Sequence, residues 1–406
     1  MMEEKISLDK VREIMLEFAD LTGLLGSGKP PKRYLWTDAF AVCNYLELYR
    51  RTREEEFKDL ALRLVAQVHQ ILGRYRPDDV RNGWISGLGE EEASRHPTIG
   101  GLRIGKPLPE RRKGEPFDEQ LEWDRDGQYF HYLTKWMQAL DQVSRATGDG
   151  RYNRWALELA RTAHARFVIL SPSGIRNRMV WKMSTDLSFP LLPSMGQHDP
   201  LDGLITYTQL QETQEKDPEK NPDLDLKTEL AEMILLCQNQ DWKTDDPLGL
   251  GGLMSDAYRA AQLSLTGQNL PPDLPLTLLE ATLWGLASFA RKNPFDHPAD
   301  FRLAFRELGI SIGFRAIEKL DEWIKNHPQQ METGPSLRTW IEPLTPFGSF
   351  REQIESFWLD RRNRAVRSWT DHREINMVML ATSLAPEGYF TMWPFDQARR
   401  NKNAAL

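Results

Sequence analysis

Two kinds of helical pattern alternate along this chain, and that alternation constrains its fold more than any other feature. From Trp36 to Arg50, the residues Phe40, Ala41, Val42, Cys43, Tyr45, Leu46, Leu48 and Tyr49 cover nearly every face of a helix. A helix apolar all round is buried all round. The next segment, Glu55 to Arg74, differs. Phe57, Leu60, Ala61, Leu64, Val65, Val68, Ile71 and Leu72 form one stripe at the 3.6-residue period, with Lys58, Arg63 and Gln67 opposite. Such a helix covers a core on one side and meets water on the other.

The same contrast recurs. Tyr129–Ala146 carries Tyr132, Leu133, Trp136, Met137, Leu140 and Val143; it stops at Thr147-Gly148-Asp149 and restarts at Tyr152 as a one-sided helix with Trp155, Leu159, Ala163 and Phe167. Gly after a periodic run, followed by Asp, is a helix stop and a new start. Further pairs are Leu201–Glu212 with Leu224–Asn239, Gly251–Leu265 with Leu274–Arg291, and Phe301–Trp323 with Phe350–Arg364. The last strong helix, Asp371–Leu384, finds its natural partner in the first, Leu8–Leu21. One hairpin cannot enclose its own inner helix, so hairpins must stack until the inner helices are covered. The expected fold is therefore all-α, an (α/α)6 toroid of six helical hairpins forming a single domain over residues 1–406. Closure of the ring is also suggested by Trp36-Thr37-Asp38 recurring as Trp369-Thr370-Asp371. Residues 386–406 read as a C-terminal tail.

Composition narrows the function classes. A net charge of −7 and the lack of a Lys/Arg block disfavour nucleic acid as a partner. No run of about 18 apolar residues spans a membrane. Cys43 and Cys237 lie far apart in helical segments and do not form a disulfide framework, and the charged start, Met1 to Asp20, has no signal-peptide core. A cytoplasmic location is expected. The 13 tryptophans and 10 tyrosines mostly suit a packed core, but aromatic faces are also platforms for sugar rings.

Connections within hairpins are short, whereas those leading into inner helices are long. The longest covers residues 76–126 and is rich in glycine and charge; Ser171 to Pro200 is next. Long loops gathered at one end mark a mouth. Polar residues concentrate in the same lead-ins: Glu122-Trp123-Asp124-Arg125-Asp126 with Tyr129 and His131, Gln197-His198-Asp199, and Asp371-His372-Arg373-Glu374. Asp and Thr before a helix are first of all N-caps, and Asp371 with Glu374 has capping-box spacing. As a group beside tryptophans, these acids also suit hydroxyl recognition and proton transfer. Asp124 with Asp199, or Asp38 with Asp371, are candidate carboxylate pairs for glycosidic hydrolysis. His198 and His372 are candidates for an acid and a base.

Other chemistries find little support. No Cys/His spacing suggests zinc, and HExxH, the phosphate-binding GxxxxGK[ST] loop, GxGxxG after a strand and GxSxG are absent. No metal and no cofactor is expected. Leu248-Gly249-Leu250-Gly251-Gly252 reads as a close-packed turn leading into a helix, and the Asp241–Asp246 stretch as a solvated turn.

The hairpin pattern from Leu8 to Leu384, the Trp36–Asp38 motif and the hairpin Tyr129–Phe167 resemble the six-hairpin glycosidase superfamily. That resemblance implies a carbohydrate-active enzyme with its site at the mouth and a small carbohydrate as substrate. The leading expectation is a glycoside hydrolase with Asp124, Asp199 and His372 as catalytic residues. Trp36, Asp38, Trp123, Tyr129, His131, His198 and Trp369 would hold the substrate. The alternatives are a sugar epimerase or isomerase with His198 and His372 moving protons, and a non-catalytic helical binding scaffold. The oligomeric state stays open.

Overall fold

In a computed structural model, residues 2–26, 28–170, 176–192, 194–217, 219, 221–268, 270–326 and 334–392 are described. The chain is all-α, with a few short strands. It divides into two compact units. Within the described residues, the N-terminal unit holds residues 20–46 and 54–238, and the C-terminal unit residues 2–19, 47–53 and 239–392. Helix α1 (Met2–Leu21) belongs almost wholly to the C-terminal unit, and α2 (Leu35–Thr52) contributes to both.

The N-terminal unit contains α3 (Glu55–Leu72), two short helices α4 (Glu90–Arg95) and α5 (Glu119–Asp124), then α6 (Phe130–Thr147), α7 (Gly150–Phe167), α8 (Asp199–Lys216) and α9 (Lys227–Cys237). Its strands are β1 (Gln128–Tyr129), β2 (Val168–Leu170), β3 (Arg176–Met179), β4 (Lys182–Met183) and β5 (Pro190–Leu192). Helix α6 packs on α7 and α8, and α8 on α9. The turn from α6 to α7 follows the sequence reading. Gly148 adopts φ 69°, its N–H bonds to Ser144 O, and the Asp149 side chain accepts from Arg151 N to start α7. Helix α8 is buried on almost every face, and four polar pairs are satisfied inside. Arg145 donates to Asp141 (2.8 Å) and Glu212 (2.5 Å), while Asp141 also accepts from Asn153 (3.0 Å) and Gln209 (2.7 Å). This network joins α6, α7 and α8 by direct bonds.

The C-terminal unit contains α10 (Pro247–Leu265), α11 (Leu274–Ala290), α12 (Ala304–Asn326), α13 (Gly334–Ile341), α14 (Ser349–Leu359), α15 (Arg367–Thr370), α16 (Arg373–Leu384) and α17 (Glu387–Phe390). Helix α12 is central, packed against α10, α14 and α16. Its approach to α10 is close enough that a Cβ on Gly251 would lie 1.9 Å from Gly309 O. Only glycine at 251 allows that spacing, and a Cβ on Gly313 would in turn lie 3.0 Å from Gly251 Cα. The glycine-rich stretch is thus close-packed as expected, but it forms the first turns of α10 rather than a turn before it. Helix α1 meets α16, as expected: Ser7 Oγ donates to Leu384 O (3.0 Å) and Arg373 meets Glu17 (2.5 Å), while Arg361, just after α14, meets Glu13 (3.0 Å).

Three local readings changed. The lead-in to α8 contains a two-stranded ribbon, β2–β3, and a three-stranded sheet ordered β1-β4-β5, so residues 171–200 are only partly loop. Residues 171–175 and 193 lie outside the described ones, as do residues 393–406 of the expected tail. The two Trp-Thr-Asp motifs differ locally. Trp36–Asp38 is part of the continuous α2, whereas Trp369–Thr370 belongs to the separate short α15, which Asp371 closes. Consequently the N-cap of α16 is His372, not Asp371, and the expected capping box does not form.

Candidate functional site

The expected site residues fall in both units. Trp36, Asp38, Trp123, Asp124, Tyr129, His131, His198 and Asp199 belong to the N-terminal unit, and Trp369 and His372 to the C-terminal one. The former group is built around the start of α6. Gly127 takes φ 139°, and a Cβ there would meet Met183 O at 2.7 Å, so glycine lets β1 lie against β4. Gln128 then latches the glycine-rich loop. Its Oε1 accepts from Leu102 N (2.8 Å), and its Nε2 donates to Gly100 O (3.1 Å) and Thr185 O (2.7 Å). Buried Asp126 accepts from Gly105 N (3.0 Å) and pairs with Arg103. These buried bonds hold a loop that lacks regular structure of its own.

An aromatic cluster stands on this base. Tyr129 stacks on His131 (centroids 5.4 Å apart) and on Trp181 (5.3 Å), and meets Tyr132 edge-on (5.2 Å). Tyr132 shares a hydroxyl bond with Tyr34 (2.7 Å), and Trp123 meets Trp181 edge-on (5.6 Å). Trp123 is half exposed and Tyr129 is buried, so the cluster shows the Trp123 ring to solvent. Lys106 reaches over the Tyr34 ring, 5.5 Å from its centroid. Beneath the cluster, Lys182 is fully buried and donates to Glu122 Oε1 and to the Glu122 and Arg125 carbonyls, each at 2.9 Å. That makes Lys182 a structural clamp.

Two titratable groups meet beside this face. Trp181 Nε1–H donates to His131 Nδ1 (3.2 Å), so a neutral imidazole carries its proton on Nε2. Burial pushes the His131 pKa down to about 4, and the ring is neutral at ordinary pH. Asp199, the first residue of α8, lies with Oδ1 3.9 Å from His131 Nδ1. Its carboxyl is pushed up to about 8, first by burial and then by the charge of Asp202, which is bonded to Lys135 (2.9 Å). Asp199 Oδ2 is buried without a hydrogen-bond partner among the described residues. A neutral imidazole and a protonated carboxyl side by side form an acid–base pair.

The remaining expected residues are placed as follows. Trp36 is buried against Phe40, with ring centroids 4.4 Å apart. Asp38 is buried, faces Arg33 (3.5 Å) and accepts from Tyr34 N (3.0 Å), which is a capping role; burial raises its pKa to about 6. Asp124 ends α5 and is exposed. His198 is half-buried at the N-cap of α8. In the C-terminal unit Trp369 is buried in a stack on Trp358 (5.6 Å), while His372 is exposed and edge-on to Phe305 (5.7 Å). Both Trp36 and Trp369 therefore pack in cores. Sequence reasoning missed Trp181, Tyr34 and Tyr132. Trp181 follows Met179-Val180 in a segment read as loop, and no sequence signal singled it out.

No protein-family model matches the chain, and no curated protein matches it. Among solved structures, it is similar to a sugar epimerase from a ruminal bacterium, with 12% identity and a TM-score of 0.46 over 86% of this chain and 87% of that one. It is also similar to the cellobiose 2-epimerase of Spirochaeta thermophila, with 13% identity and a TM-score of 0.45 over 91% and 97% of the two chains. For the cellobiose 2-epimerase of Bacillus thermoamylovorans the values are 10% and 0.42 over 80% and 75%. Likenesses this distant transfer no residue roles. Among the described residues no helix is long and apolar enough to cross a membrane, and no cluster of His, Cys, Asp or Glu could hold a metal ion.

Proposed function

We propose that the chain is a carbohydrate-active enzyme that moves a proton at a sugar carbon next to a carbonyl, as an epimerase or isomerase does. The observation that carries this reading is the His131–Asp199 pair beside the Tyr129–Trp181 stack. Half-exposed Trp123, edge-on to Trp181, offers a sugar ring an apolar surface, and the pair offers a neutral base and a neutral acid. In the proposed step His131 Nδ1 takes the proton from carbon, displacing the indole bond, while Asp199 gives its proton to the carbonyl oxygen. An enediol results, and the new imidazolium and carboxylate stabilise each other. Return of the His131 proton to the neighbouring carbon, with Asp199 taking the proton of the adjoining hydroxyl, yields the isomer. A solvent proton arriving on the opposite face of the first carbon, with Asp199 recovering its proton and His131 releasing its own to solvent, yields the epimer. Hydrogen bonds that a substrate must displace or tighten are common in unliganded active sites.

Incubation with a panel of aldoses, ketoses and disaccharides in D2O, followed by proton NMR, tests the reading. Exchange of the proton next to the carbonyl is expected, and His131→Gln or Asp199→Asn should each slow it by about 10²–10⁴-fold. Release of new reducing ends without carbon-bound exchange would replace the proposal with glycoside hydrolysis. Absence of both signals from the wild-type protein would return the chain to a binding role.

A further inference from the structure

The His131–Asp199 pair is accompanied by a second link between the same two helices. His131 and Lys135 stand about one turn apart on α6, and Asp199 and Asp202 share the first turn of α8. Lys135 Nζ donates to Asp202 Oδ1 (2.9 Å), so an ion pair lies one turn along from the place where His131 Nδ1 comes within 3.9 Å of Asp199 Oδ1. Both of its side chains are mostly buried, 12% and 13% exposed. Gly203, next to Asp202, lets the helices come this close: a Cβ there would lie 3.1 Å from Phe130 Cζ. Gly196 leaves room for the Asp199 carboxyl, which a Cβ at that position would meet at 2.6 Å. Among the described residues, the charged side chains that act on His131 and Asp199 are Asp202 and Lys135. The rings around His131 are those of Tyr129, Tyr132 and Trp181, and burial keeps both phenols neutral. His198 precedes Asp199 as the N-cap of α8.

We propose that Lys135 and Asp202 are positioning residues for the His131–Asp199 pair: their ion pair keeps α6 and α8 in the register that sets base beside acid, and its two charges govern how firmly each of the two holds a proton. The catalytic consequence rests on the proton-transfer reading above, whereas the titration of the pair is read without it. The carboxylate of Asp202 favours the protonated form of both His131 and Asp199, and the Lys135 ammonium disfavours it. Removing the lysine charge therefore moves both groups up together, and removing the aspartate charge moves both down together. A purely structural brace behaves differently. Loss of either end would admit water to both groups, and relief of burial would raise His131 while lowering Asp199.

NMR titration of the full chain without sugar tests this, following the His131 ring ¹⁵N signals and the Asp199 side-chain ¹³C signal, the latter identified by its loss in Asp199→Asn. Lys135→Met should move both midpoints up by about 1 pH unit. Asp202→Asn should move the Asp199 midpoint down by about as much and must not raise that of His131. Lys135→Arg keeps the cation and should leave both in place. In active protein the limbs of kcat/KM should move with the midpoints, and Lys135→Met should lower kcat by about 10–10²-fold with KM little changed. Unmoved midpoints, or a His131 midpoint that rises while that of Asp199 falls, would overturn the proposal. Asp202→Asn is nearly isosteric, so the test stands even if Lys135→Met fails to fold. Midpoints that move as stated in a protein that exchanges no carbon-bound proton would support the role of the ion pair and retract the reaction alone. Exchange by the wild type with unmoved midpoints would overturn the role of Lys135 and Asp202 alone.

Discussion

At the scale of single residues, Asp199 and His131 owe their properties to burial. A carboxyl in water ionises near pH 4, yet Asp199 is held protonated up to about pH 8 because its ionised form would sit buried near Asp202. Its folded pKa lies above its unfolded one, so the folded state binds an extra proton between those values. The associated stability is full below about pH 4 and is lost as pH rises through about 8. Asp199→Asn should therefore flatten the alkaline fall in thermal stability, so that at pH 9 the variant melts no lower than the wild type. The opposite order would show that Asp199 is ionised at neutral pH. If the pair does catalyse proton transfer, kcat/KM should form a plateau between about pH 4, where His131 gains a proton, and about pH 8, where Asp199 loses one. A profile with no alkaline limb would remove Asp199 as the acid. Of these residues, His131, His198 and Asp199 stood out in the sequence because they sit in polar lead-ins to apolar helices. The shifted pKa values of His131 and Asp199 did not, since burial is a property of the fold.

At the scale of elements, the alternation of all-round and one-sided apolar patterns translates directly into helices, because helix burial is a local, periodic property. The sheet β1-β4-β5 was not legible. Its strands are two or three residues long, too short for a period, and β1 meets β4 some 50 residues along the chain through pairings such as Gln128 with Met183. That sheet positions Trp181 beside His131, which is why the aromatic face could not be drawn from sequence. The buried Arg145 network offers an element-scale test. Replacing Arg145 with Met leaves Asp141 and Glu212 without their common cation in the core joining α6, α7 and α8. Chemical denaturation should show a loss of about 3–5 kcal/mol. A loss below about 1 kcal/mol would mean that the ion pairs contribute only packing.

At the scale of the whole molecule, six helical hairpins expected as one domain predict a single cooperative transition. Circular dichroism and tryptophan fluorescence should then report the same melting midpoint. Two separated transitions would instead establish two independently folding units. Which helix pairs with which was partly inferable: α1 was assigned to α16 because the last inner helix lacked any other partner, and the contacts Ser7–Leu384 and Glu17–Arg373 agree. By itself the sequence determined the all-α class, the partners of α6, α8, α10 and α12, and the lead-ins where polar residues gather, because these follow from periodicity and from the need to cover apolar surface. Only the tertiary structure decided that Trp36 and Trp369 are core residues, that Asp38 caps the start of α2, and that His131 faces Asp199. Those outcomes depend on which side chains lose water and which find partners, and both are settled by segments far apart in the chain.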